Sequence, residues 1–155
     1  MQIRPAQQSD LDSLVSLQKQ VHDLHVTGMP TRFKPITEQE LSLFMKATIQ
    51  DEHTWVFVAQ ESDLILGYIL VEEKISAENP FCFSQRTLYI DQIAVDPTVR
   101  CKGIGTALID QAKALAAKLN ISKVDLNVWC FNSTAGEFFK SKGFSSYNIK
   151  MSCDL

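Results

Sequence analysis

The sequence has neither a long apolar run nor an excess of charge of one sign. No apolar stretch approaches the roughly 18 residues that a membrane-spanning helix requires, and the N-terminus lacks the apolar core of a signal peptide. Fifteen Lys and Arg residues stand against eighteen Asp and Glu residues, which gives a net charge of −3 without a basic cluster. We therefore expect a cytoplasmic protein that binds neither a membrane nor a nucleic acid.

Cysteine is also scarce, and the four cysteines include no CxxC pair, which favours free thiols over disulfides. They are Cys82, Cys101, Cys130 and Cys153. His22 and His25 are closely spaced, but no third ligand lies near them in the sequence, so we expect no metal site. A chain of 155 residues with 45% hydrophobic residues predicts a single domain over residues 1–155.

Helical and strand periodicities alternate along the chain. An S-x-x-D capping box at Ser9 and Asp12 opens a helix that ends before Gly28, and a T-x-x-E box at Thr37 and Glu40 opens a second helix. Two further helices are predicted over 103–119 and 132–142. Strands are predicted over 3–4, 55–59, 64–74, 86–95, 124–129 and 144–151, with a loop at 76–84.

The order of these elements predicts a mixed α/β sheet. The strands 55–59 and 64–74 are joined by a short turn, so they form an antiparallel hairpin. The unit of strand, helix and strand over 86–129 requires a parallel crossover, which is almost always right-handed. The sheet is therefore antiparallel at its start and carries one parallel pair in its second half.

The most informative segment is the turn between the predicted strand 86–95 and the helix 103–119. Gly103 and Gly105 let a ligand or another backbone approach closely. The first N–H groups of a helix have no internal partner and lie at the positive end of its dipole, so they bind phosphate well. Arg100 and Lys102 add positive charge at the same point. The structural alternative is a tight turn whose glycines only permit close packing.

Spacing separates three phosphate ligands that such a turn can bind. A Walker loop needs GxxxxGK followed by Ser or Thr, which the segment after Gly103 lacks. A dinucleotide site needs GxGxxG directly after a strand, and Leu108 stands at the third glycine position. Asp125 lies where a ribose-binding acid is expected, so a nucleotide-dependent oxidoreductase stays open as an alternative. Coenzyme A is the third ligand.

Residues 100–105 resemble the R/Q-x-x-G-x-G/A motif of the GNAT superfamily of acyl-CoA-dependent N-acetyltransferases. The IAVDP segment at 93–97 and the N-x-x-A-x-x-F-F-x-x-x-G-F segment that begins at Asn132 are also similar to that family. The resemblance implies a mixed sheet of six to seven strands with about four helices. It also implies transfer of an acetyl group from acetyl-CoA to a primary amine of a small molecule, peptide or protein, by direct attack in a ternary complex.

The resemblance implies which residues bind the cosubstrate acetyl-CoA. In the family, the strand that matches 86–95 separates from its parallel neighbour, and the pantetheine arm runs along its exposed backbone, as in β-augmentation. The pyrophosphate binds at the turn, and an amide at the start of the last helix also contacts the cofactor. The implied residues are Ile93, Ala94, Val95, Arg100, Cys101, Lys102, Gly103, Ile104, Gly105, Thr106 and Asn132.

Two positions depart from the family pattern for catalysis. Phe139 stands where a tyrosine often protonates the leaving thiolate, and Asn127 stands where the family often has an acid. Strand alternation predicts Tyr89, Asp91 and Ile93 on one face, so we expect Asp91 to accept the amine proton and Tyr89 to act as the acid. The alternative is a structural or surface pair, and a non-catalytic acyl-CoA-binding module is the alternative function.

The acceptor side is marked less sharply by the sequence. We expect its pocket between the first two helices and the central strands, lined by residues 22–33, Tyr68 and the loop 76–84. The backbone N–H of Val95 is expected to polarise the thioester carbonyl. Family members often pair their subunits, and the last predicted strand offers an edge to cover, so a homodimer is also expected.

Overall fold

The computed structural model describes residues 1–100, 102–153 and 155. The helices and strands are β1 (Gln2–Pro5), α1 (Leu11–Gly28), α2 (Glu38–Gln50), β2 (Thr54–Glu61), β3 (Leu64–Ser76), β4 (Gln85–Val95), α3 (Ile104–Lys118), β5 (Val124–Leu126) and α4 (Ser133–Ser141). The strands form one sheet in chain order, antiparallel except for the parallel pair β4–β5. This confirms the predicted mixed α/β fold with one crossover.

Helices cover both faces of this sheet. On one face α3 packs through Ile104, Leu108 and Ile109 against a core that also contains Leu88 and Ile90 of β4. On the other face α1 and α2 pack through Leu14 and Met45 against Tyr68, Leu70 and Ala94. We call these the α3 core and the α1–α2 core. β4 is therefore held between two apolar layers.

The N-terminal helix begins differently from the prediction. The Ser9–Asp12 capping box is wrong, because a 3₁₀ turn (Gln8–Asp10) precedes α1 and Asp10 takes the capping position. The Asp10 carboxylate accepts hydrogen bonds from the Gln7 backbone N–H at 2.7 Å and from the Arg4 guanidinium at 2.7 and 2.8 Å. The Asp10 side chain makes no capping hydrogen bond to α1, and its charge-assisted bonds hold the 3₁₀ turn against β1 instead.

The second helix begins as predicted. The backbone N–H of Thr37 donates to Glu40 Oε2 at 2.9 Å, and the backbone N–H of Glu40 donates to Thr37 Oγ1 at 3.2 Å. Each side chain therefore satisfies an N–H group that the helix itself leaves without a partner. The capping box at this helix is confirmed.

The predicted last strand at 144–151 is wrong, and the sheet has five strands rather than six or seven. Among the described residues, no strand follows α4. Phe144 packs on Phe139, but the side chains of Tyr147, Ile149 and Met151 are 73%, 77% and 88% exposed. The neighbouring strand β5 is only three residues long, so its second edge offers few backbone partners to a further strand.

Candidate active site

A β-bulge in β4 determines the geometry of the site. Leu70 of β3 pairs with Gln92, and the next residue, Val71, pairs with Ile90, so Asp91 is the extra residue on β4. A bulge shifts by one residue the alternation of side chains and of backbone groups along a strand. Asp91 therefore marks the point at which β4 changes its relation to both of its neighbours.

The shift is visible in the two cores. Before the bulge, Leu88 and Ile90 pack in the α3 core, whereas after it Ile93 and Val95 do so. Ala94 belongs to the α1–α2 core. The expectation that Tyr89, Asp91 and Ile93 share one face is therefore wrong for Ile93, because simple alternation does not hold across a bulge.

β5 leaves β4 at the same point. The parallel pairing ends with Ile90 opposite Leu126. Among the described residues, no strand pairs with 91–95 on the side that faces away from β3. We call this side of residues 91–95 the open edge. It is a row of backbone donors and acceptors that a strand-like ligand can bind.

The backbone groups at the open edge belong to alternate residues. The N–H of Asp96 donates to the Leu66 carbonyl of β3 at 2.9 Å. Because successive N–H groups of a strand point to opposite edges, those of Ile93 and Val95 face the open edge, and that of Ala94 faces β3. Two of the three backbone positions predicted to bind the pantetheine arm thus face the open edge.

Gly67 allows β3 to stay close to this half of β4. A Cβ at Gly67 would lie 2.6 Å from the Ala94 carbonyl oxygen, which is backbone and cannot move aside. Any larger residue would separate the two strands at the position where β4 has already lost β5. The glycine therefore lets β3 stay paired with β4 on the side opposite the open edge.

The turn after β4 ends at Gly103, which precedes the first residue of α3. Gly103 has a φ of +79°, a conformation that other residues rarely adopt, and a Cβ there would meet no atom within 4 Å. The first backbone bond of α3 runs from the Ala107 N–H to the Gly103 carbonyl at 3.0 Å. The N–H groups of Ile104, Gly105 and Thr106 precede that bond, so they are the donors that a helix N-terminus offers to phosphate.

The cations of the turn lie beside these donors in the chain. Arg100 is exposed, and its Nε lies 3.5 Å from the Val95 carbonyl oxygen, at the end of the open edge. Lys102 is also exposed, and Cys101 lies outside the described residues. We call residues 102–105 the glycine turn. Together with the end of β4, the glycine turn forms the surface on which the sequence predicts coenzyme A.

Three residues at the start of α4 and within it have different contacts. Asn132 caps the helix, because its Oδ1 accepts a hydrogen bond from the Ala135 N–H at 3.2 Å. Phe138 packs against the glycine turn, since its Cζ would lie 3.0 Å from a Cβ at Gly105. Phe139 is buried in the α3 core against Phe144. The position of the tyrosine that the resemblance led us to expect therefore carries an apolar core residue, Phe139.

Polar side chains meet on the other face of the sheet, where β5 leaves β4. The Tyr89 hydroxyl accepts a hydrogen bond from Asn127 Nδ2 at 2.9 Å. The Lys74 ammonium lies 3.6 Å from the centroid of the Tyr89 ring, and Glu72 holds that ammonium at 2.9 Å. Asn127 directly follows the end of the β4–β5 ladder, so this group stands at the beginning of the open edge.

A second polar pair lies deeper on the same face. Tyr68 is fully buried, and its hydroxyl donates to Gln92 Oε1 at 2.7 Å. Burial raises the pKa of Tyr68 far above its ordinary value, so its phenol stays protonated. This pair is structural, because the hydroxyl satisfies a polar group inside the α1–α2 core.

The environment of Asp91 and Tyr89 changes their titration. Asp91 is exposed at the bulge, yet the surrounding protein displaces part of its water, and this desolvation together with the charge of Glu72 raises its pKa above the usual value. Partial burial also raises the pKa of Tyr89, although Lys74 and the hydrogen bond from Asn127 act in the opposite direction. A carboxylate with a raised pKa is a better base toward an ammonium.

An aromatic cluster lies beside the site, where α1 ends. It consists of His25, Phe33, Trp129 and Phe131. Phe33 lies 5.1 Å from His25 and from Trp129, measured between ring centroids, and Trp129 stacks on Phe131 at 6.5 Å. A Cβ at Gly28 would lie 2.5 Å from the Phe131 ring. The cluster joins the α1–α2 loop to the loop after β5.

This cluster shows what the sequence missed on the acceptor side. The predicted strand 124–129 ends at Leu126, so Trp129 and Phe131 lie in the loop after β5, where they contact the segment 22–33 that is predicted to line the acceptor pocket. Two aromatic residues so close together in the chain were the available signal. The loop 76–84, also expected there, closes on itself between Asn79 and Cys82 and leaves Phe81 and Phe83 94% and 85% exposed.

The described residues, 1–100, 102–153 and 155, contain no group of three or more His, Cys, Asp or Glu side chains placed to hold a metal ion. Within the same residues, no helix is long and apolar enough to cross a bilayer.

Comparison with known proteins decides the family. The model of the acetyltransferase (GNAT) family matches residues 19–144. The chain belongs to this family. GNAT proteins are acyl-CoA-dependent acetyltransferases, which confirms the enzyme class and the cosubstrate acetyl-CoA expected from the sequence and removes the oxidoreductase alternative.

Individual relatives agree with the family assignment. An uncharacterized N-acetyltransferase of Methanocaldococcus jannaschii is 43% identical over 60 residues, which cover 39% of this chain and only about a quarter (26%) of that relative. A tetramutant of the BH1408 protein from Bacillus halodurans superposes with a TM-score of 0.91 and 26% identity over all of both chains. The CoA complex of the aminoglycoside N-acetyltransferase AAC(6′)-Iy has the same fold, with a TM-score of 0.79 and 16% identity over 99% of this chain and 93% of that one.

Proposed function

We propose that this GNAT protein transfers the acetyl group of acetyl-CoA to a primary amine by direct attack, with both substrates bound together. The observation that carries the proposal is the open edge of β4, which leads directly to the glycine turn. One surface therefore offers backbone groups for an extended amide chain and helix N–H groups for a pyrophosphate. Both parts of coenzyme A need such partners.

The residues present fit this cosubstrate. The N–H groups of Ile93 and Val95 face the open edge, at a strand position without a protein partner among the described residues. Gly103 leaves open space where a side chain would otherwise stand, and Arg100 and Lys102 supply positive charge. Bound there, acetyl-CoA supplies an activated acetyl carbon, and the chain has to orient it and manage protons.

Asp91 is the proposed base. The attacking amine must lose a proton, and Asp91 stands at the bulge where the open edge begins. Because its pKa is raised, it lies closer to the pKa of an amine than the pKa of an ordinary aspartate does. The Val95 N–H is the proposed donor to the thioester oxygen, because a backbone donor fixed in a strand needs no reorganisation during the reaction.

Tyr89 is the proposed acid. Phe139 has no proton to give, and Tyr89 provides a hydroxyl on the same strand as Asp91, two residues away. Its phenol stays protonated near neutral pH because partial burial raises its pKa. Asn132 is proposed to add a cofactor contact to its role as helix cap.

The acceptor is a small-molecule or peptide amine that reaches Asp91 past the aromatic cluster. Glu72 on this side is paired with Lys74, so the charge of Asp91 is the one that favours an ammonium group over an anion. A homodimer remains part of the proposal, because Tyr147, Ile149 and Met151 are exposed beside the short edge strand β5.

Thiol release in the presence of a panel of amines tests the function. We expect release of CoA that depends on both acetyl-CoA and at least one primary amine, and mass spectrometry of the product should show one added acetyl group. Saturable acetyl-CoA binding without release for any amine would instead identify a non-catalytic acyl-CoA-binding module. Absence of binding would remove both functions.

A further inference from the structure

The contact between Asn127 and Tyr89 has a defined place in the fold. The parallel ladder pairs Tyr89 with Asp125, so Asn127 lies two residues further along the same face, just past the last paired residue. Its side chain reaches back to the Tyr89 hydroxyl over 2.9 Å. The contact therefore bridges β4 and the chain beyond β5 where the open edge begins.

The direction of this hydrogen bond matters for proton transfer. The Asn127 amide donates and the Tyr89 oxygen accepts. A phenol has one hydrogen and two lone pairs, so a hydroxyl that accepts from Asn127 keeps its own hydrogen for a different acceptor. The amide thus occupies a lone pair of the oxygen and leaves the proton free for transfer.

The groups around Tyr89 act on that proton in both directions: burial, Asp91 and Glu72 raise the pKa of Tyr89, whereas Lys74 and the hydrogen bond from Asn127 lower it. Lys74 of β3 places its ammonium 3.6 Å from the ring centroid, and Glu72 holds it there. On β4, Asp91 opposes the release because its carboxylate is negative. From the loop after β5, the Asn127 N–H stabilises a phenolate by donating to it. One cation and one neutral donor therefore face the acidic groups Glu72 and Asp91.

We propose that Asn127 is a positioning residue that orients and polarises Tyr89, so that the tyrosine of β4 replaces the acid that is missing at Phe139. The proposal rests on the proposed acetyl transfer. It gives a function to Asn127, which stands where the family often has a carboxylic acid side chain. A neutral amide is required there, because a carboxylate at the same distance would accept the Tyr89 hydrogen rather than leave it free.

The step balances within named groups. The amine nitrogen forms a bond to the acetyl carbon and loses a proton to Asp91, and as the carbon–sulfur bond of the thioester breaks, its electron pair stays with the sulfur. Tyr89 donates its hydroxyl proton to that sulfur, which leaves as a thiol, and the Tyr89 phenolate is held by the Asn127 N–H and by Lys74. Solvent then returns a proton to the phenolate. Asp91 carries the proton that it accepted from the amine and releases it to solvent.

A purely structural role for Asn127 makes a different prediction. In that case the bond only fixes the chain beyond β5, and its loss would have the same effect whether or not residue 89 has a hydroxyl. A double-mutant cycle separates the two roles, because a residue that acts through another has no further effect once the other is removed.

The test compares Asn127→Leu, Asn127→Asp, Tyr89→Phe and the double variant Asn127→Leu/Tyr89→Phe, with Asn148→Leu as a matched control at an exposed site. We expect Asn127→Leu to lower kcat by about tenfold without changing the KM for acetyl-CoA, because a hydrogen bond to a charged group is lost. Asn127→Asp should not restore kcat. In the Tyr89→Phe background, Asn127→Leu should have no further effect.

A second measurement does not depend on catalysis. The chain has only three tyrosines, so carbon-13 NMR of labelled tyrosine, with Tyr89→Phe for assignment, follows the titration of Tyr89 alone. We expect the pKa of Tyr89 to rise in Asn127→Leu and to stay unchanged in Asn148→Leu. Circular dichroism of each variant confirms that the fold is retained before the values are compared.

The outcomes are distinguishable. If the wild-type protein releases no CoA with any amine, the proposed function itself fails. If it is active but Asn127→Leu lowers kcat equally in both backgrounds, or Asn127→Asp is as active as wild type, the positioning role is overturned. An unchanged Tyr89 titration in Asn127→Leu would overturn it as well.

Discussion

The two halves of β4 have different neighbours. Residues 85–90 lie before the bulge and end in a ladder with β5, whereas residues 91–95 pair only with β3 among the described residues. The end of the first half, residues 88–90, is an interior strand with a partner on each side. The second half carries both the open edge and the proposed base. The single extra residue, Asp91, stands at the point where β4 loses its second neighbour.

Residues 91–95 of β4 keep their packing in the core although they lose the neighbouring strand β5. The bulge lets Ile93 and Val95 take over the packing against α3 that Leu88 and Ile90 provide earlier. Their backbone groups are at the same time turned toward the side that β5 has left. Packing is therefore maintained along the whole strand, while hydrogen bonding is given up over one half.

The largest expected effect is on the affinity for acetyl-CoA, which is proposed to bind along the open edge and at the glycine turn. Gly103→Val should weaken acetyl-CoA binding by roughly 100-fold, because a branched side chain is strained at a φ of +79° and fills the space next to the phosphate donors. Isothermal titration calorimetry measures the change. Equal affinity for wild type and variant would show that the glycine turn is not where the pyrophosphate binds.

The next largest effect is on the stability of the pairing between β3 and residues 91–95 of β4. Gly67→Ala should destabilise the protein by about 2 kcal/mol, because the new Cβ would lie 2.6 Å from the Ala94 carbonyl oxygen. Gly136→Ala in helix α4 is the matched control. Its new Cβ would lie 3.7 Å from the Val128 side chain, which is an ordinary van der Waals contact. Urea unfolding of both should show a loss only at Gly67. Equal stability of the two variants would contradict the tight β3–β4 contact.

The third prediction concerns turnover and the carboxylate of Asp91, the extra residue in the bulge. Asp91→Asn should reduce kcat at saturating acetyl-CoA by at least about tenfold, because an amide cannot accept the amine proton. In the wild type, the acid limb of the kcat profile should lie above the pH range of an ordinary aspartate, since the pKa of Asp91 is raised and the base is lost as pH falls through that pKa. Unchanged turnover in Asp91→Asn would remove it from catalysis.

The smallest effect lies outside both halves of β4. The Arg4 hydrogen bonds hold the pKa of Asp10 below its usual value, so the pair stabilises the fold above the unfolded pKa and this contribution is lost as pH falls through the folded one. Asp10→Asn should cost roughly 1–2 kcal/mol at pH 7. The loss should shrink in acid, and acetyl-CoA affinity should not change. A loss of equal size at pH 7 and pH 2 would contradict the ion pair.

Part of this arrangement is predictable from local sequence signals. The glycine turn follows from Gly103 and Gly105 before an apolar helix, and the capping box at Thr37 follows from its T-x-x-E spacing. The hairpin of β2 and β3 follows from period-two patterning. These features are encoded within a few residues, so a reader of the sequence can find them.

The features that were missed depend on contacts between distant residues. The bulge at Asp91 results from the register of β4 against β3, and nothing in the local pattern of 86–95 marks it. The strand predicted at 144–151 has a period-two pattern, but the second edge of β5 offers it few backbone partners. The Asn127–Tyr89 contact joins residues 38 positions apart, so only the parallel register reveals it.

Amide hydrogen exchange in β4, followed residue by residue by NMR, tests the central claim most directly. The open edge predicts that saturating acetyl-CoA slows the exchange of the Ile93 and Val95 amides, while the Ala94 and Asp96 amides, which face β3, are already slow without it. If acetyl-CoA binds but leaves Ile93 and Val95 exchanging as fast as before, the cosubstrate does not lie along the open edge.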